Sequence, residues 1–529
     1  MTRRRKFWGW GFEDQQPPHE QVEAAAAAAR EHLGFGPADV ERPVRLEDLE
    51  LPPPRLQPPA SLAAICRTDP YERAAHAYGK SYRDVVRAFR GRFDNLPDAV
   101  AHPADEAQLE QVLAWCEEAK AAAIPFGGGT SVVAGVEPPG DRPAISIDLK
   151  HLDRVLDVDH ASRAARIQAG AVGPALEDQL RGHNLTLRHF PQSFEFSTLG
   201  GWIATRAGGH YATLHTHIDD FVESIRAVTP RGLWESRRLP ASGAGPSPDR
   251  MLIGSEGILG VITEAWMRVQ DAPRFRDSAA VLFDSFENGA QAVRALSQSG
   301  LHPSNCRLLD PGEAALTGAV PGSGADGAPA LLVLAFESAD HELGPWMDRG
   351  LELCADHGGK PRDRGPDASR DRGASEGAWR DAFLQAPYLR DTLVAAGVLA
   401  ETFETAITWD RFEDLVDGVR GRVRDSLDGQ GAVTCRLTHV YPDGAAPYFT
   451  VLAPARRGDE LQQWEQLKHA ASEAIIGAGA TITHHHAVGR DHRPWYDRQR
   501  PGPFATALRA AKAALDPDAR LNPGVLLDP

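Results

Sequence analysis

Cysteine is scarce in this sequence, and its spacing carries no signature of a disulfide or metal framework. The 529 residues include five cysteines, an odd number that contains no C-x-x-C pair. This pattern argues against a disulfide-stapled scaffold and against a zinc ribbon, and it fits a reducing compartment.

Long apolar runs are also missing. No stretch of about 18 consecutive apolar residues, the length that spans a bilayer, occurs in the chain. Glu13 and Asp14 follow the basic N-terminus so closely that no hydrophobic core of a signal peptide remains. We therefore expect a cytoplasmic protein without a signal peptide or transmembrane helix, and contact with the inner face of the membrane stays open.

Positive charge is in deficit, because 57 Lys and Arg stand against 73 Asp and Glu, for a formal net charge of −16. Such a balance repels a phosphate backbone and disfavours nucleic-acid binding as the main task. Hydrophobic residues nevertheless make up 42% of the chain, and 11 Trp are present. Length and composition therefore predict several folded domains with sizeable cores.

Helical and strand-like patterns alternate along the chain, which predicts the α+β class. An Ala-rich helix is expected at 20–33, and Asp105 with Gln108 matches a capping box that opens an amphipathic helix ending near Lys120. Further helices are predicted at Trp409–Leu427 and Phe504–Leu515. The predicted strands are Ala123–Phe126, Ala144–Leu149, Val155–Val158, Ala164–Ala169, Pro329–Glu337, Val433–Tyr441, Tyr448–Ala453 and Ala480–His486. Loops are predicted at Leu239–Arg250, Thr317–Pro329 and Asp356–Glu376.

Three segments rich in glycine and hydroxyl residues stand out. The first, Pro125–Ser131, follows a strand-like segment, so its backbone N–H groups could surround a pyrophosphate without obstruction by Cβ atoms. On its own this motif favours a tight turn, because its spacing matches neither G-x-G-x-x-G nor the P-loop. The other two run from Pro191 to Gly209 and from Gly254 to Thr263. Three such segments within about 140 residues exceed what turn chemistry requires.

In order and spacing, these segments resemble the FAD-binding domain of flavoproteins of the vanillyl-alcohol-oxidase and p-cresol-methylhydroxylase type. The resemblance implies that the first loop holds the pyrophosphate, that the second runs beside the isoalloxazine and the phosphates, and that the third passes the adenosine side. The implied cofactor-binding residues are Pro125, Phe126, Gly127, Gly128, Gly129, Thr130, Ser131, Gln192, Ser193, Phe194, Glu195, Phe196, Ser197, Thr198, Thr205, Arg206, Ala207, Gly208, Glu256, Gly257, Ile258, Leu259, Gly260, Val261 and Ile262. No histidine adjoins the first loop in the sequence, so noncovalent FAD is expected.

The same resemblance implies a domain order. An N-terminal helical region is expected at 1–92, and a two-subdomain FAD-binding domain at 93–272. An α+β cap domain for the substrate is expected at 273–500. The C-terminal segment 501–529 is expected to return to the interface between the FAD-binding and cap domains.

Motifs distributed along the chain, within the FAD-binding domain and beyond it, are similar to those of the alkyl-dihydroxyacetonephosphate synthase family, and the similarity covers nearly the whole chain. They are Lys6–Gly11, Pro191–Trp202, Val228–Gly232, Tyr388–Asp391, Glu401–Thr405, Cys435–Thr438 and His484–His486. The resemblance implies that Tyr448 is a catalytic acid or base. It also implies that Arg307 acts at the active site and that Arg390 binds substrate, where guanidinium groups suit a phosphate and a leaving carboxylate.

The triplet His484, His485 and His486 leaves several roles open when only the residues are considered. On a strand the first and third would share a face and the second would point away, which disfavours zinc without a ligand from elsewhere. A satisfied polar cluster and a site that handles protons or binds an anion remain possible roles. The family resemblance implies that all three are catalytic and that no metal is present.

The resemblance implies an FAD-dependent transferase of ether lipid biosynthesis. It would exchange the acyl chain of acyl-dihydroxyacetonephosphate for a long-chain fatty alcohol through an adduct at flavin N5, without net redox change. Expected partners are the two lipid substrates, a membrane surface and a second copy of the chain in a homodimer. Two alternatives stay open: an FAD-dependent 2-hydroxyacid or alcohol oxidase or dehydrogenase of the same fold, and a non-catalytic flavin- or lipid-binding protein.

Overall fold

Helices and strands alternate along the computed structural model, which describes residues 3–211, 213–317, 328–362 and 387–528. This alternation confirms the α+β class. The α-helices are His19–Leu33, Pro70–Ala75, Tyr82–Phe89, Glu106–Glu118, Gly173–Arg181, Leu199–Thr205, Asp249–Leu252, Phe286–Gln298, Pro311–Leu316, Gly344–Ala355, Phe412–Ser426, Glu460–Gly477, Arg493–Gln499 and Gly502–Leu515. A further helix covers 387–395. Short 3₁₀ helices lie at Glu13–Gln15, Leu46–Asp48, Ile218–Asp220 and Trp409–Arg411.

The strands of the described residues form four sheets. They are β1 (Cys66–Arg67), β2 (Ala99–Ala101), β3 (Ala122–Phe126), β4 (Ala144–Asp148), β5 (Val155–Asp159), β6 (Ala164–Gln168), β7 (Leu185–Thr186), β8 (Val222–Thr229), β9 (Gly232–Glu235), β10 (Val261–Arg268), β11 (Gln270–Asp271), β12 (Phe275–Phe283), β13 (Asn305–Leu309), β14 (Ala330–Ser338), β15 (Lys360–Pro361), β16 (Val398–Glu404), β17 (Ile407–Thr408), β18 (Ala432–Val440) and β19 (Gly444–Pro454). The sheet orders are β1-β2-β4-β3, β5-β6-β10-β8-β9, β11-β7 and β15-β12-β14-β13-β18-β19-β16, with β17 paired to β19.

The first sheet positions the glycine-rich loop. Its strands β2, β4 and β3 are parallel, and β3 ends at Phe126 directly before the loop. The helix Glu106–Glu118 connects β2 to β3 and buries Leu109 and Val112 in the sheet's core. Each of these side chains contributes about 1.5–3 kcal/mol by leaving water. The loop therefore begins at the end of a strand that is held in a packed sheet.

The predicted capping box at the start of this helix forms only in part. The side chain of Asp105 accepts a hydrogen bond from the backbone N–H of Gln108, as expected of an N-cap residue. The Gln108 side chain, however, accepts from the N–H of Ala104 rather than from that of Asp105. The reciprocal bond thus reaches one residue beyond the cap.

The eight-stranded sheet carries the polar residues of the second half of the chain. It is antiparallel at the centre, where β18 and β19 place Arg436 opposite Tyr448 and where β16 and β19 place Glu404 opposite Tyr448. Helices Phe286–Gln298 and Phe412–Ser426 pack their apolar residues into the core on this sheet. A glutamate, a tyrosine and an arginine therefore occupy paired positions on the adjacent strands β16, β19 and β18.

One predicted strand is wrong. The segment from Ala480 to His486 consists of bends and irregular backbone. It carries the β-branched and aromatic residues of a strand, but the backbone N–H groups of His484, His485 and His486 bond to the Glu404 side chain on β16 instead of to a neighbouring strand. The other predicted strands and helices exist within one to four residues of their expected ends.

The predicted loops have different outcomes. Leu239–Arg250 is irregular except for its last two residues, which begin the helix Asp249–Leu252. Most of Thr317–Pro329 and most of Asp356–Glu376 lie outside the described residues.

Segments from before and after the main body of the chain both contact the first sheet. Strand β1, from the segment expected to be helical, pairs with β2, and Leu521 near the C-terminus bridges Ala123 on β3. The expected domain bounds themselves stay predictions. In the described part of the chain, no helix combines the length and the apolar character needed to cross a membrane.

Candidate cofactor and active site

A single large cavity of about 1500 Å³ brings the three glycine-rich segments together with the polar face of the eight-stranded sheet. This exceeds the roughly 300–1,000 Å³ of ordinary small-molecule sites, so it has room for a dinucleotide beside a lipid headgroup. The predicted residues that line it are Pro125, Phe126, Gly127, Gly128, Gly129, Thr130, Ser131, Gln192, Ser193, Glu195, Ser197, Thr198, Thr205, Ala207, Gly208, Glu256, Gly257, Gly260, Val261, Ile262, Arg390, Tyr448, His485 and His486.

Seven predicted residues do not line the cavity. Phe194 stacks on Trp202, and Phe196 packs against Phe12. Arg206 pairs with Asp219. The remaining four are Ile258 and Leu259, which are core residues, together with Arg307 and His484.

The first loop approaches the second so closely that glycine is required there. A Cβ on Gly128 would lie 1.9 Å from the carbonyl oxygen of Phe196, and one on Gly127 would lie 2.3 Å from the hydroxyl of Thr198. Gly129 adopts φ of +62°, a conformation that favours glycine. The loop is therefore shaped by its neighbours, which the tight-turn interpretation does not explain.

The first loop has backbone N–H groups that could donate hydrogen bonds to a ligand. Within the described residues, no hydrogen bond engages the N–H groups of Gly128, Gly129 and Thr130. Buried N–H groups need an acceptor, and successive N–H groups around a concavity suit the oxygens of a pyrophosphate. The donor set, the glycine contacts and the cavity volume thus fit FAD.

Glu256 ties the third segment to the histidine triplet. Its carboxylate accepts hydrogen bonds from the backbone N–H groups of Val488 and Gly489, two and three residues after the triplet. Burial raises the pKa of Glu256 to about 7, against these two hydrogen bonds. Its backbone lies in the left-handed region with φ of 49°, so the surrounding contacts hold it there.

Tyr448 lies on the cap side of the cavity, beneath a guanidinium group. The Arg436 guanidinium lies 3.9 Å from the centroid of the Tyr448 ring, and it forms an ion pair with Glu313. Burial raises the pKa of Tyr448, against the nearby charge of Arg436, so the hydroxyl keeps its proton at neutral pH. Arg436 lines the cavity but was not predicted as a site residue; its only signal was the motif Cys435–Thr438.

The two predicted arginines have different positions. Arg390 lines the cavity, donates to the carbonyl of Lys80 at 2.8 Å and lies 3.4 Å from the Thr402 hydroxyl. Arg307 lies on β13, is fully buried and does not line the cavity. With burial and neighbouring histidines, its charge lowers the pKa of His439. Arg390 can therefore meet an anion directly, whereas Arg307 acts on the histidines.

Glu404 holds the histidine triplet in place. The carboxylate, 1% exposed, accepts backbone hydrogen bonds from His484 at 2.6 Å, His485 at 3.2 Å and His486 at 2.9 Å. It also accepts from the Thr483 hydroxyl at 2.6 Å. Burial alone would raise the pKa of Glu404, but the adjacent histidines of the triplet and the hydrogen bond from Thr483 hold it below its usual range. Glu404 was not predicted as a site residue, and its only signal in the sequence is the motif Glu401–Thr405.

The triplet rings belong to a larger histidine cluster. His484 Nδ1 lies 2.9 Å from His485 Nδ1, and His484 Nε2 lies 2.6 Å from the Tyr441 hydroxyl and 3.1 Å from His217 Nε2. Burial holds the pKa of His484 well below its ordinary value, together with the charges of His217 and His439. Burial likewise lowers the pKa of His485, against Glu404. His484 and His485 are therefore neutral at physiological pH.

The spacing of one histidine group would admit a cation. The ligand nitrogens of His439, His484 and His485 lie within 4.8 Å of one another. Both nitrogens of His484 already have hydrogen-bond partners in His485, Tyr441 and His217. We therefore assign no metal to this group, and the metal-free site stays a prediction.

The N-terminal segment also contributes to the cavity wall. Lys6, Trp8 and Trp10 line the cavity, and the Lys6 ammonium lies 3.0 Å from the Asp391 carboxylate. Arg5 donates to the carbonyl of Gly128 at 2.7 Å. Only the motif Lys6–Gly11 pointed to this segment.

One histidine also approaches the first loop through the fold. The ring centroid of His76 lies 4.4 Å from that of Phe126. The His76 nitrogens are engaged by the Glu72 carbonyl and the Asp148 carboxylate. Noncovalent attachment of FAD stays a prediction.

Fold and family comparisons agree with this arrangement. The FAD binding domain family matches residues 97–236, and the C-terminal domain family of FAD linked oxidases matches residues 272–526. The structure of p-cresol methylhydroxylase with substrate bound superposes with a TM-score of 0.68 at 14% identity, covering 89% of this chain and 95% of that one. The chain is thus a two-domain flavoprotein with the p-cresol-methylhydroxylase fold, and its cofactor is FAD.

Closer relatives define the family. The alkyldihydroxyacetonephosphate synthase of Dictyostelium discoideum is 30% identical over 507 residues, which are 92% of this chain and 83% of that protein. A solved alkyldihydroxyacetonephosphate synthase superposes with a TM-score of 0.81 at 25% identity over 98% of each chain. The chain belongs to the alkyldihydroxyacetonephosphate synthase family, which confirms the resemblance drawn from its motifs.

Proposed function

We propose that this chain is an FAD-dependent alkyldihydroxyacetonephosphate synthase. It exchanges the acyl chain of acyl-dihydroxyacetonephosphate for a long-chain fatty alcohol and so makes an ether lipid precursor. The observation that carries the proposal is that Tyr448, Arg390 and the rings of His485 and His486 line the same cavity as the three glycine-rich segments. Acid–base, cationic and flavin-binding groups therefore act on one bound substrate.

The reaction requires a base, an acid and cations, and the site offers each. Neutral His485 and His486 can accept a proton from the carbon that bears the acyl ester, and protonated Tyr448 can donate one. Arg390 and Arg436 can bind the phosphate and the departing carboxylate through charge-assisted hydrogen bonds. FAD, when bound, supplies an electrophilic ring nitrogen. Net oxidation is not needed.

The lipid chains require an apolar surface next to these groups. The cavity continues past the polar site along Val22, Val44, Leu46, Leu316 and Leu452. Leu389, which is 52% exposed, also lines it. An alkyl chain buried here gains about 0.8 kcal/mol for each CH₂ group. We propose further that the lipid chains enter from the inner face of a membrane and that the protein is a homodimer.

An exchange assay separates this function from the oxidase alternative. Purified protein is mixed with acyl-dihydroxyacetonephosphate and labelled fatty alcohol while the flavin absorbance is followed. We expect label in the ether product, released fatty acid and no lasting bleaching. Bleaching by 2-hydroxy acids or alcohols, without exchange, would identify an oxidase or dehydrogenase instead. Flavin or lipid binding without either reaction would indicate the non-catalytic alternative.

A further inference from the structure

The histidine triplet continues towards the surface as a chain of hydrogen-bonded imidazoles. His485 lines the cavity, and its Nδ1 lies 2.9 Å from Nδ1 of His484. Nε2 of His484 lies 3.1 Å from Nε2 of His217. Nδ1 of His217 lies 3.1 Å from the carbonyl oxygen of Arg206, whose side chain is 54% exposed. Three rings thus connect the cavity to the solvent side.

The carbonyl at the outer end fixes the proton positions along the chain. A carbonyl only accepts, so His217 carries its proton on Nδ1 and offers Nε2 as an acceptor. His484 therefore carries its proton on Nε2 and accepts on Nδ1. His485 then carries its proton on Nδ1, which leaves Nε2 as a free base on the ring that lines the cavity.

This order of protons suits a relay. When His485 Nε2 takes up a proton, its Nδ1 proton can pass to Nδ1 of His484, and the Nε2 proton of His484 can pass to His217. The positive charge then lies on His217, while the inner rings are neutral again, and His217 returns to its neutral form by releasing a proton to solvent water at this exposed end. The Tyr441 oxygen, 2.6 Å from His484 Nε2, stabilises the charge in transit.

The proposed reaction produces the proton that such a relay would carry. The acyl ester loses its C–O bond, and the acid leaves with the electron pair as a carboxylate. The alcohol oxygen forms the new C–O bond and loses its proton. Carboxylic acids ionise well below neutral pH, so each turnover releases one proton inside the cavity. This step rests on the proposed function and needs no oxidant or reductant.

We infer that His485, His484 and His217 form a proton relay that carries this proton out of the cavity, with His217 as its outer member. His217 contacts His484 and does not line the cavity, so it is a positioning and relay residue. No motif in the sequence singled it out.

Chemical rescue tests the relay in the FAD-loaded enzyme. The variant His217→Ala should lower turnover about ten-fold, less than the loss of a direct acid or base. Added imidazole should restore turnover with saturation, because a small imidazole can replace the missing ring. His215→Ala is the matched control from the same segment and should keep turnover without any effect of imidazole. Unchanged turnover in His217→Ala, or a loss that imidazole does not restore while FAD stays bound, would overturn the relay.

Tautomers in the wild-type enzyme provide a test that does not depend on activity or on variants that fold. Nitrogen-15 NMR of labelled histidines should find protons on Nδ1 of His217, Nε2 of His484 and Nδ1 of His485. The opposite tautomer at any of the three would break the chain and refute the relay. If the wild type shows no alkyl exchange, the proposed function fails, and the tautomers still decide whether the chain of imidazoles exists.

Discussion

Replacing Glu404 by glutamine changes one atom in the support of the histidine triplet. In the native protein one carboxylate oxygen accepts from His485, His486 and Thr483, and the other accepts from the backbone N–H of His484. Glutamine keeps one oxygen acceptor and places an NH₂ group at the second position. If the oxygen keeps its three donors, the NH₂ group faces the N–H of His484.

The expected cost follows from these contacts. A hydrogen bond to a charged group contributes about 1.5–3 kcal/mol, and leaving the His484 N–H unsatisfied costs a similar amount. We expect the free energy of unfolding to fall by about 2–4 kcal/mol. A shift of the triplet by about 1 Å would lower turnover roughly a hundred-fold.

The measurements are alkyl exchange, FAD content and thermal unfolding of Glu404→Gln beside the wild type. Glu264→Gln is the matched control, because Glu264 is a shielded carboxylate that accepts from Arg166 at 2.6 Å on β10, away from the triplet. It should lose stability without losing turnover. Wild-type turnover in Glu404→Gln would refute the positioning role that the contacts indicate.

Three further changes test other parts of the site. Gly128→Ala places a Cβ 1.9 Å from the Phe196 carbonyl and should abolish FAD retention on desalting, whereas Gly243→Ala, with no atom within 4 Å of its added Cβ, should keep the yellow colour. Tyr448→Phe removes the buried acid and should lower turnover about a hundred-fold or more with FAD bound; normal turnover would remove Tyr448 from the mechanism. Burial raises the pKa of Glu256 from 4.5 to about 7, so the folded protein binds more protons than the unfolded chain between these values and stability should fall by about 3 kcal/mol as pH rises through them. Glu256→Gln should lack this part of the pH dependence of unfolding, and an identical profile would contradict it.

Part of the fold and of the site could be predicted from local motifs, because residues close in the sequence determine the conformation of these motifs. The run Gly127–Gly129 predicted a backbone that approaches another group closely, and the structure shows that group to be the segment around Phe196. The helix Glu106–Glu118 followed from its apolar periodicity and its N-cap. In such elements the sequence pattern and the final contacts agree.

The features that could not be predicted depend on contacts between residues far apart in the sequence. Ala480–His486 has the composition of a strand, but Glu404, about 80 residues earlier, takes up the N–H groups that a strand would need. Glu404 and His217 are single residues without a local pattern, so only the fold reveals that they support the triplet. Arg307 was expected at the active site; it is fully buried and does not line the cavity, and its catalytic role stays a prediction.

The source of the ether oxygen shows whether the fatty alcohol replaces the acyl chain. Fatty alcohol labelled with oxygen-18 is incubated with the FAD-loaded protein and acyl-dihydroxyacetonephosphate, and the products are examined by mass spectrometry. If the alcohol replaces the acyl chain, the ether retains the label and the released fatty acid carries none. Label in the fatty acid, or no ether while the flavin is reduced by the substrate, would contradict it.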